Sequence, residues 1–370
     1  MTLAIVGIGT VCSLGTKIDS FKDGLEGTIK PLIENKSIMT KQGTVSLPVF
    51  TATTVDLETF VPKSQLRRID SFSRMALLSS YRAVEDAGIE LKDMERIGVI
   101  CGSGYGPLKT TFNFLDGIIN DGDMGASPTH FANSVHNSPA SHISILQKIN
   151  GPCQTITCFS QTVSNVFLTA EMWLNSEIVD FVLVVLGDEN CDVREYASVE
   201  FGASESSEIR PFCFNQCSYL PGEGFVSFLL SRPSFIKGKY GTINKIMVRN
   251  KIQDLNNGLL NDLDVIFLSA KGNRQEGETY RQLNLREKKV AAYSPVYGGM
   301  PIGVGFDIAA AALSLKEKKL FPCPNTQTES ETDWKIISQS SNMQSDCSIG
   351  CIEYENDQQV NLFILSGDNK

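Results

Sequence analysis

Apolar runs that end in glycine-rich or polar turns recur along this chain, and they constrain its fold more than any other feature. The run Phe181–Asn190 reads FVLVVLGDEN and is apolar until its terminal turn. A strand without polar alternation is typical of a parallel sheet that helices cover on both faces. Similar strands are predicted at Met1–Gly9, at RIGVICGSGYG, at Thr155–Cys158 and at Gly222–Ser231. A helix is predicted over Ser64–Ile89, where apolar residues follow a helical period and Gly88 supplies a stop.

The same alternation begins again after about residue 235. Strands are predicted at Thr242–Asn250, Asp264–Gly272, Val290–Gly299 and Asn361–Gly367, and a helix at Gly305–Lys319. Two successive α/β halves, residues 1–235 and 236–370, fit this order better than one doubly wound sheet. The polar stretch Thr326–Ser348 is predicted to be a surface excursion.

Charge and cysteine spacing exclude several classes of function. The formal net charge of −9 argues against binding of nucleic acid, which needs a basic face. The closest cysteine pairs, Cys213–Cys217 and Cys347–Cys351, do not have zinc-type spacing. The histidines His130, His136 and His142 do not form the i, i+4 pair of a helical metal site. We therefore expect no metal, no cofactor, no membrane span, and free thiols in a reducing cytoplasm.

Several segments occur in an order that points to a known family: AIVGIGTVCSLG, RRIDSFSRMALLSSYRAVEDAGI, GVICGSGYG, INGPCQTITC, VLGDEN and RPFCFNQCSYLPGEG. In this order they resemble the β-ketoacyl-acyl carrier protein synthases, through nearly the whole chain. The resemblance implies an α/β thiolase-like fold, in which two similar α/β halves form five layers, α-β-α-β-α. In the C-terminal third, SIGCIEY stands where the family has a Gly-Phe-Gly loop.

An active member of this family uses a cysteine to hold the acyl chain as a thioester, and two histidines to stabilise the enolate and oxyanion. Carried onto this chain, the nucleophile position is Ser160, nine residues after Gly151. The two histidine positions are Lys271 and Met300, and the position of the family's lysine is Pro295. The resemblance therefore implies that no catalytic residue remains. Cys158 is a fallback nucleophile, although its place at the end of a strand favours a buried side chain.

A chain without the family's cysteine and histidines at these positions resembles a chain length factor. A chain length factor is the inactive half of a heterodimer with a working ketosynthase. We expect this chain to pair with an active ketosynthase and to shape the tunnel for a polyketide or polyene, the aryl polyene type being nearest. Two alternatives stay open: a divergent acyltransferase or condensing enzyme that uses Cys158 or Ser160, and a structural scaffold of a synthase complex. Lys271 is also a candidate for a plain ion pair with Glu276 or Glu278, and Met300 for an apolar filler.

The resemblance also implies partners. The strand Gln154, Thr155, Ile156, Thr157 and Cys158 is expected to pair with the ketosynthase across a two-fold axis, beside His136 and Asn137. Acyl carrier proteins are acidic, and Lys63, Arg67 and Arg68, with Arg74 nearby, are a weak candidate for docking them. Arg68 and Arg74 are alternatively expected to pair with Asp70 or Glu85. Because the chain is itself acidic, we expect the carrier protein to dock mainly on the partner.

The family's tunnel gate follows the second strand, which places it at Tyr105, Leu108 and Phe112. Leu108 and Phe112 are four residues apart and share one helix face if the helix begins near Pro107. The alternative is that all three are core residues between helix and sheet.

Overall fold

The computed structural model describes residues 2–41, 43–90, 92–200, 207–325, 332–344, 346–355 and 359–367. The strands within these ranges are β1 (Leu3–Val11), β2 (Ile33–Thr40), β3 (Gly43–Phe50), β4 (Ile97–Gly102), β5 (Cys153–Ile156), β6 (Phe181–Asp188), β7 (Gly224–Ser231), β8 (Thr242–Arg249), β9 (Val265–Leu268), β10 (Lys289–Ala291), β11 (Lys319–Leu320), β12 (Lys335–Ile336), β13 (Ser341–Asn342), β14 (Ser348–Glu355) and β15 (Gln359–Ser366). The α-helices are α1 (Ile18–Leu25), α2 (Lys63–Leu66), α3 (Ser71–Ala87), α4 (Leu108–Asp121), α5 (Pro128–Ser134), α6 (Ser138–Gln147), α7 (Thr162–Asn175), α8 (Asp192–Glu200), α9 (Arg274–Tyr280), α10 (Ser294–Tyr297) and α11 (Gly303–Glu317).

A mixed sheet of eleven strands organises the described residues, in the order β12-β10-β9-β14-β15-β8-β1-β7-β6-β4-β5. This order contains a repeat, because β1-β7-β6-β4-β5 and β8-β15-β14-β9-β10 arrange successive strands in the same way. The two half-sheets join where β1 pairs antiparallel with β8, at Leu3↔Ile243 and Ala4↔Thr242. The division of the chain at residue 235 falls between β7 and β8 and stays a prediction.

The alternating side chains of β6 show why helices cover both faces of the first half-sheet. Val182, Val184 and Leu186 belong to one core cluster, which contains the apolar residues of α7. Leu183 and Val185 point the other way and belong to a second cluster with α3. Because successive strand side chains face opposite sides, a continuous apolar run needs a cover on each.

Two helices lie between the half-sheets. The first, α7, contacts β4 and β6 of one half-sheet and β8 of the other, and α11 contacts β7 as well as β9, β14 and β15. Every residue of α11 from Gly303 to Leu315 is buried. A helix that is covered all round forms the central layer of the stack, as the predicted α-β-α-β-α arrangement requires.

The predicted helix Ser64–Ile89 is divided in two in the structure. The carboxylate of Asp70 accepts a hydrogen bond of 3.0 Å from the Ser73 amide and so starts α3, which ends at Gly88 with φ 63°. The Arg74 guanidinium donates to the carbonyls of Leu66 and Ile69, at 2.6 and 2.9 Å, and holds the break between α2 and α3. Pairing of Arg74 with Asp70 or Glu85 was therefore a wrong expectation; Glu85 instead pairs with Arg82 at 2.7 Å.

Other predicted elements differ mainly in length. The predicted strand at Val290–Gly299 keeps only β10 before the short helix α10, and the strand at Asp264–Gly272 shortens to β9. The hairpin β2–β3 and the strand β14 were not predicted, and β14 occupies most of the SIGCIEY region. Met1, which opens the predicted Met1–Gly9 strand, lies outside the described residues.

Part of the stretch predicted as a surface excursion, Thr326–Ser348, belongs to the core. Residues 326–331 and 345 lie outside the described residues. Trp334 is only 8% exposed and packs edge-on against Phe212 and Phe214, with ring centres 6.0 and 6.1 Å apart. One large aromatic side chain thus anchors a polar segment to the fold. Among the described residues, no helix has the length and apolar character needed to cross a bilayer.

We predict that Asp70→Ala destabilises the protein by about 1–2 kcal/mol, because it removes the N-cap of α3. It also removes the acceptor for the Thr110 hydroxyl, which donates to Asp70 at 2.8 Å. Asp70→Asn keeps a capping oxygen and is the matched control, with a smaller loss expected. Denaturant unfolding measures both variants, and equal losses for Ala and Asn would contradict the capping role.

Candidate functional site

Turns at the carboxyl ends of parallel strands form the candidate site. In the first half, β4 leads into residues 103–106, β5 leads into the segment with Cys158, and β6 ends at Asp188; these three strands are parallel. In the second half, β9 leads towards Lys271 and β10 towards Met300. Ligands of α/β sheets bind outside the carboxyl ends of the strands, where such turns meet.

The carboxylate of Asp188 holds the turn after β4. Its Oδ1 accepts hydrogen bonds from Ser103 Oγ at 2.7 Å, from the Gly104 amide at 2.9 Å and from the Tyr105 amide at 3.0 Å. Burial raises the pKa of Asp188, and the nearby Arg194 charge together with these donors opposes that rise. The backbone of Tyr105 is consequently fixed to the end of β6.

The buried guanidinium of Arg194 ties the two halves together. It donates to the carbonyls of Glu189, Gly222 and Gly299, each at 2.9 Å. Its central carbon also lies 5.3 Å from the centre of the Tyr105 ring, within the range of a cation–π contact. Tyr105 therefore rests on a fixed positive charge that is itself bound to the turn of the second half.

Met300 lies within this packed junction. It is 1% exposed, and the next residue, Pro301, packs so closely on Gly104 that a Cβ there would lie 2.4 Å from the proline Cβ. The side chain predicted to stand at the family's second histidine position is thus apolar and buried in the core cluster, as an apolar filler would be; that assignment stays a prediction.

Lys271, which the sequence predicts at the family's first histidine position, forms a buried ion pair. Its Nζ lies 3.6 Å from Glu276 Oε1, with side chains only 5% and 7% exposed, and its backbone amide donates to Glu276 Oε2 at 3.0 Å. Glu278, the other partner considered from the sequence, pairs with Arg274 on the surface at 3.1 Å. An ammonium that is paired with a carboxylate has no free electron pair with which to accept a proton.

A buried carboxyl group that the sequence did not reveal lies next to this pair. Asp307 is fully buried in α11, and its Oδ1 accepts a hydrogen bond of 3.0 Å from Tyr297 Oη. Burial raises the pKa of Asp307 to about 7, against the opposing effects of the Tyr297 hydroxyl and the Lys271 charge. Pro295, predicted at the family's lysine position, is buried in α10 and offers no donor. The signal in the sequence was an acid directly before the alanine-rich part of the helix.

The segment after β5 differs from the prediction in one respect. The strand ends at Ile156, so Cys158 lies beyond it and is exposed, whereas a buried side chain was expected. The reason is that β5 is the edge strand of the sheet, and residues past its end have sheet on one side only. The Cys158 amide donates to Thr162 Oγ1 at 3.0 Å, at the start of α7. Ser160 lies in the single 3-10 turn Phe159–Gln161, and its side chain is outside the described part.

Phe159 is held in a backbone conformation that side chains other than glycine rarely adopt. Its φ is 44°, and its ring is 59% exposed. Such a conformation costs about 1–3 kcal/mol and persists only where the surroundings enforce it. The ring packs edge-on against Tyr105, with the centres 5.5 Å apart. This contact joins the turns after two neighbouring strands, and backbone strain of this kind has no signature in the sequence.

The three residues predicted as a tunnel gate occupy two different elements. Tyr105 lies in the turn after β4 and is 37% exposed. Leu108 and Phe112 are half-buried on α4, which starts immediately after Pro107 as predicted. The role of all three as a gate stays a prediction.

The predicted interface residues surround the open edge of β5. Cys153, Gln154, Thr157 and Cys158 are exposed, and Thr155 and Ile156 are half-buried. His136 and Asn137 are also exposed. The His136 ring lies directly over Gly106, where a Cβ would be 2.4 Å from its Cδ2. Their role in an interface stays a prediction.

The remaining candidates are structural or lie on the surface. His142 Nε2 lies 3.1 Å from Asn133 Oδ1, and burial lowers the pKa of this histidine. In the described ranges, no three His, Cys, Asp or Glu side chains are grouped as a metal site requires. Lys63, which is 81% exposed, lies 3.3 Å from Glu58, and Arg67 and Arg68 are exposed.

Comparison with known proteins gives the same fold. Residues 47–201 match the family model "Beta-ketoacyl synthase, N-terminal domain". A 3-oxoacyl-[acyl-carrier-protein] synthase 2 of Coxiella burnetii is 22% identical over 256 residues, which cover 65% of this chain and 60% of that protein. The chain therefore spans less than two thirds of that relative's length.

Two solved structures superpose over 99% of both chains. The ishigamide ketosynthase/chain length factor has a TM-score of 0.82 at 17% identity. A type II polyketide synthase acyl carrier protein in complex with its ketosynthase, bound to the hexaketide, has a TM-score of 0.79 at 12% identity.

The repeated half-sheets and the turns that meet at their carboxyl ends define a thiolase-like fold, which the solved ketosynthase structures share. Within this fold, residues 47–201 are similar to the N-terminal domain of β-ketoacyl synthases.

We predict that Lys271→Met destabilises the protein by about 3–5 kcal/mol, because it leaves the Glu276 carboxylate buried without its cation. The double variant Lys271→Met/Glu276→Gln should lose less than the sum of the two single variants. Arg274→Met is the control, since its pair with Glu278 has side chains 70% and 57% exposed and should contribute less than about 1 kcal/mol. Denaturant unfolding measures all four, and additive single losses would show that the pair is not coupled.

Proposed function

We propose that this chain is a non-catalytic ketosynthase-like subunit, a chain length factor that pairs with an active β-ketoacyl synthase and shapes its acyl tunnel. The observation that carries the proposal is the identity of the side chains at the two positions predicted to correspond to the family's histidines. One holds an ammonium paired with Glu276, and the other holds the buried thioether of Met300. Neither group can act as the imidazole that decarboxylation and oxyanion stabilisation require.

The exposed edge of β5 supports a partner chain. Pro152 O and Ile156 O accept hydrogen bonds from Val99 and Ser103 of the β4 side, at 2.9 and 3.3 Å. Because strand residues alternate, Cys153 and Thr155 direct their backbone groups towards the open edge. An unpaired edge of this kind accepts a strand from another chain.

Apolar side chains beside the edge also support an interface. Ile119, Met124 and Ile145 are 77%, 96% and 71% exposed. They lie on α4, on the turn after it and on α6; α5 contacts both α4 and α6, and α6 contacts β5. Several large apolar groups exposed near one another are typical of a protein–protein contact. A neighbour described as a ketosynthase/chain length factor is in keeping with such a pair.

The finer parts of the proposal concern product and carrier protein. The aryl polyene type is the subtype that we propose, on the resemblance of the sequence. A structural neighbour is a ketosynthase in complex with its acyl carrier protein. We propose that this chain meets a carrier protein through its partner, since its own candidate residues Lys63, Arg67 and Arg68 lie on a chain of net charge −9.

The exposure of Cys158 favours one alternative, a divergent acyltransferase with a thiol nucleophile. Against it, the described residues place no histidine in the turns after β9 and β10, where the family has its imidazoles. The scaffold alternative differs from the main proposal only in having no influence on product length.

We predict that the purified chain alone neither decarboxylates malonyl-acyl carrier protein nor becomes acylated. Decarboxylation is measured as the carbon dioxide released from malonyl-acyl carrier protein. Acylation is measured as the mass of the intact protein after incubation with acyl donors. An intact ketosynthase is the positive control for both. Stoichiometric acylation at Cys158 or Ser160 would replace the proposal with the acyltransferase alternative.

We predict that Thr155→Pro abolishes co-purification with the ketosynthase, because proline removes a backbone donor at the open edge and leaves the bonds to β4 in place. Thr155→Val keeps the backbone amide and is the matched control, which should co-purify like the wild type. Size-exclusion chromatography of co-expressed chains measures the complex. Full retention of the partner by a folded Thr155→Pro variant would show that β5 does not form the interface.

A further inference from the structure

Phe159 and Tyr105 form an aromatic pair at the place where an acyl chain would meet this subunit. Tyr105 follows the carboxyl end of β4, and Phe159 follows that of β5, the neighbouring parallel strand. The carboxyl ends of parallel strands are where α/β proteins bind their ligands. The pair also lies next to the open β5 edge, so it is continuous with the proposed interface.

Both members of the pair are held in place. The Tyr105 amide donates to Asp188 Oδ1 at 3.0 Å, and its ring lies over the buried Arg194 guanidinium at 5.3 Å. Phe159 is fixed by a backbone with φ 44° in the 3-10 turn Phe159–Gln161. The Phe159 backbone is strained, yet its ring is 59% exposed and so is only partly used for packing within this chain. This combination indicates that the ring contacts another molecule.

We propose that Phe159, supported by Tyr105, is the residue that sets how far the growing acyl chain extends into this subunit. The inference rests on the proposed function and deepens it. The group that contacts Phe159 is the apolar end of the acyl chain, because the ring offers an apolar edge and no hydrogen-bonding group. Leu108 and Phe112 are half-buried on α4, and so offer less free surface than Phe159.

The structure provides a closely matched control for Phe159. Phe131 is also 59% exposed and also packs on one aromatic ring, Phe114, with the centres 5.5 Å apart. It differs in lying within the regular helix α5 with an ordinary φ. Replacing it removes the same surface group beside the proposed interface without touching the turn after β5.

The test uses the complex of this chain with an active ketosynthase, supplied with malonyl-loaded acyl carrier protein. Phe159→Ala should lengthen the product by at least one two-carbon extension, and Phe159→Trp should shorten it. Phe131→Ala should leave the length unchanged. Product length is measured by mass spectrometry, and complex formation is measured by size exclusion for every variant.

The possible outcomes separate this inference from the proposed function. If the wild-type complex forms and makes a product of defined length, and both Phe159 variants make the same product, the assignment of Phe159 is overturned while the chain length role stands. If Phe131→Ala changes the length equally, the effect comes from the interface in general and the assignment is again overturned. If the wild-type chain forms no complex with an active ketosynthase, the proposed function fails and this inference fails with it.

Discussion

The burial of α11 from Gly303 to Leu315 is the constraint on which the rest of the structure depends. A helix that is covered on every side can exist only if both half-sheets close on it. Four successive alanines, Ala309 to Ala312, keep its diameter small enough for the sheets to approach. That approach brings the turns after β4 and β6 against the turn at Met300. The buried acid of the helix, Asp307, is tolerated because Tyr297 donates to it and because burial favours its neutral form.

The buried carboxylates of the site hold the backbone of its turns in place by accepting hydrogen bonds from amides. Asp188 binds the turn after β4, Glu223 accepts from the amides of Ala52 and Asn190, and Glu189 accepts from the Lys109 amide at the start of α4. Burial raises the pKa of Glu189 to about 8 and also raises that of Glu223. These carboxyl groups hold the backbone of the turns, so the fold does not depend on a nucleophile or an imidazole in them. The case illustrates that a fold and a reaction are separable.

The sequence allowed the layers to be predicted, but not the contacts that depend on three dimensions. The apolar run of β6 and the period of α3 follow from local pattern, whereas the assignment of Lys271 and Met300 to the family's histidine positions came from the resemblance and stays a prediction. The break before α3 depends on Arg74 reaching two carbonyls, and the choice of Glu276 over Glu278 depends on the direction of α9. Cys158 was expected inside because the strand was predicted to end at Cys158, two residues beyond its end at Ile156.

If β5 forms the proposed interface, its shortness has a consequence for how this chain distinguishes partners. Only Cys153 and Thr155 direct backbone groups outward, and such groups are the same in every protein. A ladder this short cannot distinguish a second copy of this chain from any other strand. Discrimination between self and non-self must therefore reside in the side chains that flank the edge, and changes there would convert one pairing preference into another without altering the sheet.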